Sequence, residues 1–144
     1  MGLREHSAPA AAPPTKEQEM SAKRELDEQR QRCAKNQSLF REVNEHIEDI
    51  ATPSSYTLFV CECVQTDCNS TVSVTLPEYE AIRSHSNRFF VLDGHQVEAV
   101  EEVVETTDRY LVVSKLGQGA TVADHLDPRK RERVAPTKPR EPNP

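Results

Sequence analysis

Three cysteines within eight residues, Cys61-Glu62-Cys63-Val64-Gln65-Thr66-Asp67-Cys68, constrain this chain more than any other feature. Along an extended strand, residues two apart point to one face with Cα atoms about 6.6–6.8 Å apart. Cys61 and Cys63 therefore converge while Glu62 points away. Val64 to Asp67 supply a turn, with Thr66 and Asp67 as turn formers, and return Cys68 to the same place. Three thiolates brought together in this way suit a tetrahedral zinc ion, Zn2+. Three of the four cysteines of the chain lie in this segment.

A tetrahedral site requires a fourth ligand, and five histidines are candidates. His6 lies near the N-terminus, His46 within a helical stretch, His85 among polar residues and His125 near the C-terminus. His95 follows Gly94, the only glycine between residues 56 and 115, at the end of the apolar run Phe89 to Leu92. A glycine there permits a positive φ that turns the next side chain inward. His95 is the expected fourth ligand, with Cys33, Asp67 or water as the alternatives.

The remaining pattern indicates an α+β fold. Residues 21–52 read as a long N-terminal helix, rich in helix formers and free of internal proline and glycine. Leu26, Cys33, Phe40 and Ile47 recur every seven residues, with Val43 and Ile50 three further on. This seam supports either of two readings: a helix covering its own domain, or a homodimer formed through residues 26–50. Residues 56–115 read as a small zinc-binding α+β domain of about five short strands and one short helix around the zinc knuckle. Its strands are expected at Tyr56–Val60, Thr71–Thr75, Arg88–Leu92, Val100–Val104 and Tyr110–Val113. The helix should run from Pro77 to about Ser84, capped by Thr75, with Tyr79 and Ile82 inward. The Glu-rich stretch Glu98, Glu101, Glu102 and Glu105 reads as a solvated sheet edge.

Both ends read as tails. Residues 1–20 form an expected disordered N-terminal tail, and residues 116–144 an expected, mostly disordered C-terminal tail dense in proline and charge. No apolar run is long enough for a signal peptide or a membrane span, so the expected setting is cytoplasmic.

Charge narrows the partners. Residues 56–115 carry 10 acidic and 4 basic side chains, as acidic an excess as the net −6 of the whole chain of 144 residues. Such a segment repels phosphate, which disfavours nucleic acid. The run Arg129-Lys130-Arg131-Glu132-Arg133 reads as part of a solvated tail. Four glycines cannot build a standard phosphate loop, and neither a G-x-S-x-G elbow nor an H-E-x-x-H helix is present. The chain is expected not to be an enzyme. The favoured function is a structural zinc module of an adaptor or regulator, acting on an unidentified protein partner. A thiol redox sensor that releases zinc on oxidation is the alternative, and a zinc hydrolase ranks last.

Phe59-Val60-Cys61-Glu62-Cys63, Cys68, Thr75-Leu76-Pro77-Glu78-Tyr79-Glu80, Arg83, Arg88-Phe89 and Gly94-His95 resemble a set of small, largely uncharacterised actinobacterial proteins. The likeness covers about residues 56–115, and Asp127-Pro128-Arg129 extends it. Ser86 and Asp93 stand where the pattern has proline. The resemblance implies a Cys3His-like site at Cys61, Cys63, Cys68 and His95, and it implies no activity.

Overall fold

Thr15 opens the first helix through a capping box. Its hydroxyl accepts from the Gln18 N–H at 3.2 Å, and the Gln18 side chain accepts from the Thr15 N–H at 3.0 Å. In the computed structural model, which describes residues 12–53 and 55–130, helix α1 therefore spans Lys16–Ile50. It starts within the segment expected as an N-terminal tail, because the cap and the first-turn acids Glu17 and Glu19 favour an earlier start. The expected tails at residues 1–11 and 131–144 lie outside the described residues.

The elements that follow α1 come in the expected order. Strands β1 (Thr57–Val60) and β2 (Thr71–Val74) form an antiparallel hairpin with Phe59 opposite Val72. Helix α2 (Leu76–Arg83) has a second capping box, between Thr75 and Glu78. Strands β3 (Arg88–Val91), β4 (Glu101–Thr106) and β5 (Leu111–Lys115) form an antiparallel sheet with β5 in the centre. The fold is α+β, with a long N-terminal helix before small antiparallel sheets and short helices.

An aromatic cluster holds the two sheets and α2 together. Phe59 stacks on Tyr79 with ring centroids 4.5 Å apart, and Phe90 meets both edge-on at 6.1 Å. Tyr110 extends the cluster from the other side of Phe90. Such geometries contribute beyond area burial alone.

Three differences from the sequence expectation stand out. Helix α3 (Gln118–His125) lies inside the segment expected as a C-terminal tail and packs along α1. Gly119 permits that approach: a Cβ there would sit 3.0 Å from the Arg30 carbonyl oxygen. Glu101, expected on a solvated edge, is buried in an ion pair with Lys115 at 3.0 Å, while Glu102 and Glu105 are exposed as expected.

The third difference concerns which face of α1 is covered. Its buried residues are Ala34, Gln37, Ser38, Arg41 and Asn44, spaced for one helical stripe but mostly polar. The expected seam lies largely elsewhere: Phe40 and Ile47 are half-buried, and Val43 and Ile50 are exposed at 45% and 82%. Hydrogen bonds do the work assigned to hydrocarbon. Arg41 donates to the Ser86 carbonyl at 2.5 Å and the Ala123 carbonyl at 2.7 Å, and its guanidinium lies 4.7 Å from the Phe89 ring centroid. Arg83 pairs with Glu45 at 2.9 Å and Asp127 at 2.5 Å, tying α2 to α1 and to the chain beyond α3.

Arg41→Met should therefore lower stability by about 3 kcal/mol in urea unfolding, since the buried Ala123 carbonyl and the half-buried Ser86 carbonyl lose their donor. Val43→Ser, on the uncovered side of the same helix, should change it by less than about 0.5 kcal/mol.

Candidate metal centre

The hairpin β1–β2 delivers three of the four side chains. Beyond β1 the chain continues extended, with the Cys61 N–H bonded to the Ser70 carbonyl at 2.9 Å. Cys61 and Cys63 share a face, and a turn closed by the Cys68 N–H to the Gln65 carbonyl at 3.1 Å returns Cys68 to them. The fourth side chain comes from the end of β3. Gly94 adopts φ +91°, with open space where a Cβ would stand, so its requirement is conformational rather than steric. The His95 N–H closes the turn onto the Leu92 carbonyl at 3.0 Å.

The result is one cluster. The Sγ atoms of Cys61, Cys63 and Cys68 and a ring nitrogen of His95 all lie within 4.8 Å of one another. His95 Nδ1 is 3.6 Å from Cys61 Sγ and 3.7 Å from Cys68 Sγ. Tetrahedral zinc, with Zn–S about 2.3 Å and Zn–N about 2.0–2.1 Å, sets sulfur and nitrogen about 3.6 Å apart. The spacing fits an ion of that size. Among the described residues this is the one group of three or more potential ligands gathered closely enough to hold a metal.

The alternatives for the fourth position are not part of the cluster. Cys33 is half-buried on α1, Asp67 is exposed in the knuckle turn, and the His85 ring lies 3.0 Å from the Ser84 hydroxyl. His46 and His125 are exposed, and His6 lies outside the described residues.

The electrostatics of the three thiols depend on whether a cation is present. Burial pushes the Cys61 thiol well up from its ordinary value, the neighbouring Cys63 and Cys68 push it further, and only the Leu92 N–H, 3.3 Å from its sulfur, opposes them. Burial raises Cys63 likewise. Cys68 goes the other way: burial raises it, but hydrogen bonds led by the Ser70 backbone outweigh that and lower it. Three thiolates gathered without an ion repel one another, whereas a divalent cation reverses the penalty and holds them deprotonated.

Glu62 is the residue whose importance the spacing did not reveal. Its carboxylate points away from the cluster, as alternation requires, yet it is fully buried. One oxygen accepts from Asn44 Nδ2 at 2.9 Å and the other from the Phe90 N–H at 3.3 Å. Its own N–H donates to the Phe90 carbonyl at 3.0 Å, and its carbonyl accepts from Gln37 Nε2 at 2.8 Å. Burial lifts its carboxyl to about 7, against the pull of Asn44, Arg41 and Arg83. No protein-family model, curated protein or solved structure matches the chain.

Two measurements follow from this geometry. His95→Ala should weaken zinc binding at least about a hundredfold in competition with a chromophoric chelator, whereas His85→Ala should leave it unchanged. Glu62 sets a pH dependence of stability. Its folded value of about 7 exceeds the ordinary 4.5, so between those limits the folded chain keeps a proton that the unfolded chain loses. Stability should therefore fall by about 2 kcal/mol as pH rises from about 5 to 7.5, with Glu48, also raised to about 7, acting in the same direction. A flat urea-midpoint profile over that window would contradict the buried, partnered state of Glu62.

Proposed function

We propose that the chain is a zinc-binding module in which the ion is a structural tie, and that it acts by binding another protein. The observation that carries this reading is the convergence of four protein ligands within 4.8 Å, three from one knuckle and the fourth 27 residues beyond Cys68. Four protein ligands complete a tetrahedron and leave no position for a reactive water, as in structural rather than catalytic zinc sites. Glu62, the carboxylate nearest in sequence, is engaged with Asn44 and Phe90, which argues against a hydrolytic base at the ion.

A protein partner suits the surface. Leu39, Val43 and Ile50 of α1 and Tyr56 and Leu58 around β1 are exposed, while the acidic excess of residues 56–115 disfavours nucleic acid. A second copy of the chain, meeting it through residues 26–50, is one such partner. No described helix is long and apolar enough to cross a membrane.

One observation favours a second reading, a thiol sensor. Cys68 is the more exposed of the three sulfur ligands and the one whose thiol is lowered, so an oxidant reaches it first. Peroxide would take two electrons from Cys68 and Cys63 or Cys61, giving a disulfide and two waters, and the ion would leave.

Elemental analysis with native mass spectrometry, before and after peroxide, separates the readings. The structural module predicts one zinc per chain that survives mild peroxide. Reversible loss of zinc with a mass decrease of about two hydrogens would favour the sensor. A chain that takes up no zinc would end both. The same spectra distinguish monomer from dimer.

A further inference from the structure

The polar underside of α1 meets the metal knuckle at a particular place. Asn44 brackets Val60: its Oδ1 accepts from the Val60 N–H at 2.8 Å, and its Nδ2 donates to the Val60 carbonyl at 2.9 Å. Nδ2 also reaches Glu62 Oε2 at 2.9 Å. Two helical turns earlier, Gln37 Nε2 donates to the Glu62 carbonyl at 2.8 Å. The groups read by α1 thus lie immediately before and after Cys61, on the backbone that presents two ligand thiols. Two amide side chains take the place of a neighbouring strand along Val60–Glu62.

This contact differs in kind from the rest of the core. Among the buried residues of α1 only Ala34 is apolar. Apolar packing is non-directional and tolerates small displacements, whereas hydrogen bonds weaken steeply outside a narrow range of distance and angle. The segment Cys61–Cys63 lies outside the strands, so its backbone is not fixed by a β-ladder. Its backbone is held by single hydrogen bonds, the Cys61 N–H to the Ser70 carbonyl at 2.9 Å and the Glu62 N–H to the Phe90 carbonyl at 3.0 Å, and convergence of its thiols on an ion would add a further tie. The sheet of β3, β5 and β4 depends on it less: Glu62 bonds to Phe90 of β3, but the strands are also held by their β-ladders and by the contacts among Phe59, Tyr79, Phe90 and Tyr110.

We propose that metal occupancy is coupled to the docking of α1 through Asn44 and Gln37. With the ion bound, Val60 and Glu62 stand in register for the two amides, and the stretch from Gln37 to Glu48 is held down. With the ion removed, the thiols no longer converge, the register is lost and this stretch of α1 loosens. It stays tethered by Arg41 at Ser86 and Ala123 and by Glu45 at Arg83. The inference rests on the zinc reading above and adds an output to it: the helix reports whether the site is filled. Coupling of this kind is reciprocal, so Asn44, which is not a ligand, contributes to metal affinity as a positioning residue.

Hydrogen–deuterium exchange on the full chain, with and without zinc, tests this together with zinc affinities for wild type, Asn44→Ala and Asn44→Asp. Removing zinc should speed exchange across Gln37–Glu48 at least about tenfold while Leu111–Lys115 stays protected, and either variant should weaken zinc about tenfold or more. Asn44→Asp keeps the acceptor for the Val60 N–H but loses the donor and sets a second carboxylate against Glu62, so the wild-type exchange measurement carries the test if the variants fold poorly. Three results overturn the proposal. Zinc binding without any change in α1 exchange removes the coupling. Simultaneous loss of protection in α1 and β5 makes zinc structural for the whole chain, leaving the module intact and the helix readout wrong. Absence of zinc binding removes the proposal and the zinc reading together.

Discussion

Burying Glu62 between Cys61 and Cys63 takes a carboxylate out of water, and both its oxygens must then find donors. The Phe90 N–H supplies one and Asn44 the other, so β3 and α1 are both drawn to the knuckle. A helix that must present an amide at that point cannot present a continuous hydrocarbon stripe. The polar face of Gln37, Ser38, Arg41 and Asn44 follows from this requirement, and so does the outward position of Val43 and Ile50. The same alternation that aims the two cysteines at a metal aims Glu62 into the protein. One short extended segment thereby sets the ligand geometry on one side and the packing of the longest helix on the other.

This arrangement explains which parts of the molecule were legible in the sequence. The strands were, because Tyr56 to Val60 and Thr71 to Thr75 carry aromatic and β-branched side chains in period two, and α2 was, through Thr75, Pro77 and Glu78. The cluster was legible because the C-x-C spacing and the Gly94-His95 turn are local features. The buried face of α1 was not. Hydropathy locates a buried stripe only when burial is apolar, and polar residues satisfied by distant partners look the same as solvent-facing ones. Glu101 was hidden for the same reason, since its partner Lys115 lies on the next strand. Helix α3 was obscured by the proline-dense segment that follows it, although Val122 and Ala123 do pack inward.

The folded unit is consequently larger than the sixty residues that carry the candidate metal ligands. Residues 56–115 hold an acidic excess of 6, and the flanking segments bring cations to it. From the N-terminal side Arg41 is buried near Glu62, and from the C-terminal side Arg129 meets Glu45 at 2.7 Å and Glu80 at 2.8 Å. Arg129 was expected to belong to a solvated basic run, yet its guanidinium lies among three carboxylates and 5.9 Å from the Tyr79 ring centroid. The sharing is unequal. Glu80, with hydrogen bonds from Arg129 first among the causes, is drawn down to about 2, while burial and the nearby Glu80 lift Glu48 to about 7. One guanidinium cannot fully neutralise both.

The flanking segments, not the candidate metal site, answer this electrostatic problem. A zinc ion held by three thiolates and a neutral imidazole would leave a net charge of −1 at the site, so filling it would not relieve the acidity of residues 56–115. Relief from outside the segment comes from Arg41 and Arg129, while Arg83 and Lys115, already counted within it, are each paired with a carboxylate. All four of these cations lie on or contact α1: Arg41 belongs to it, and Arg83 and Arg129 both pair with Glu45. Lys115 joins them through Gln37. A helix that carries this much of the charge compensation cannot shift without altering the field around Glu62, and Glu62 is covalently fixed between two candidate ligands. The path from ligand to helix is short, polar and continuous, and its members are Cys61, Glu62, Asn44 and Gln37.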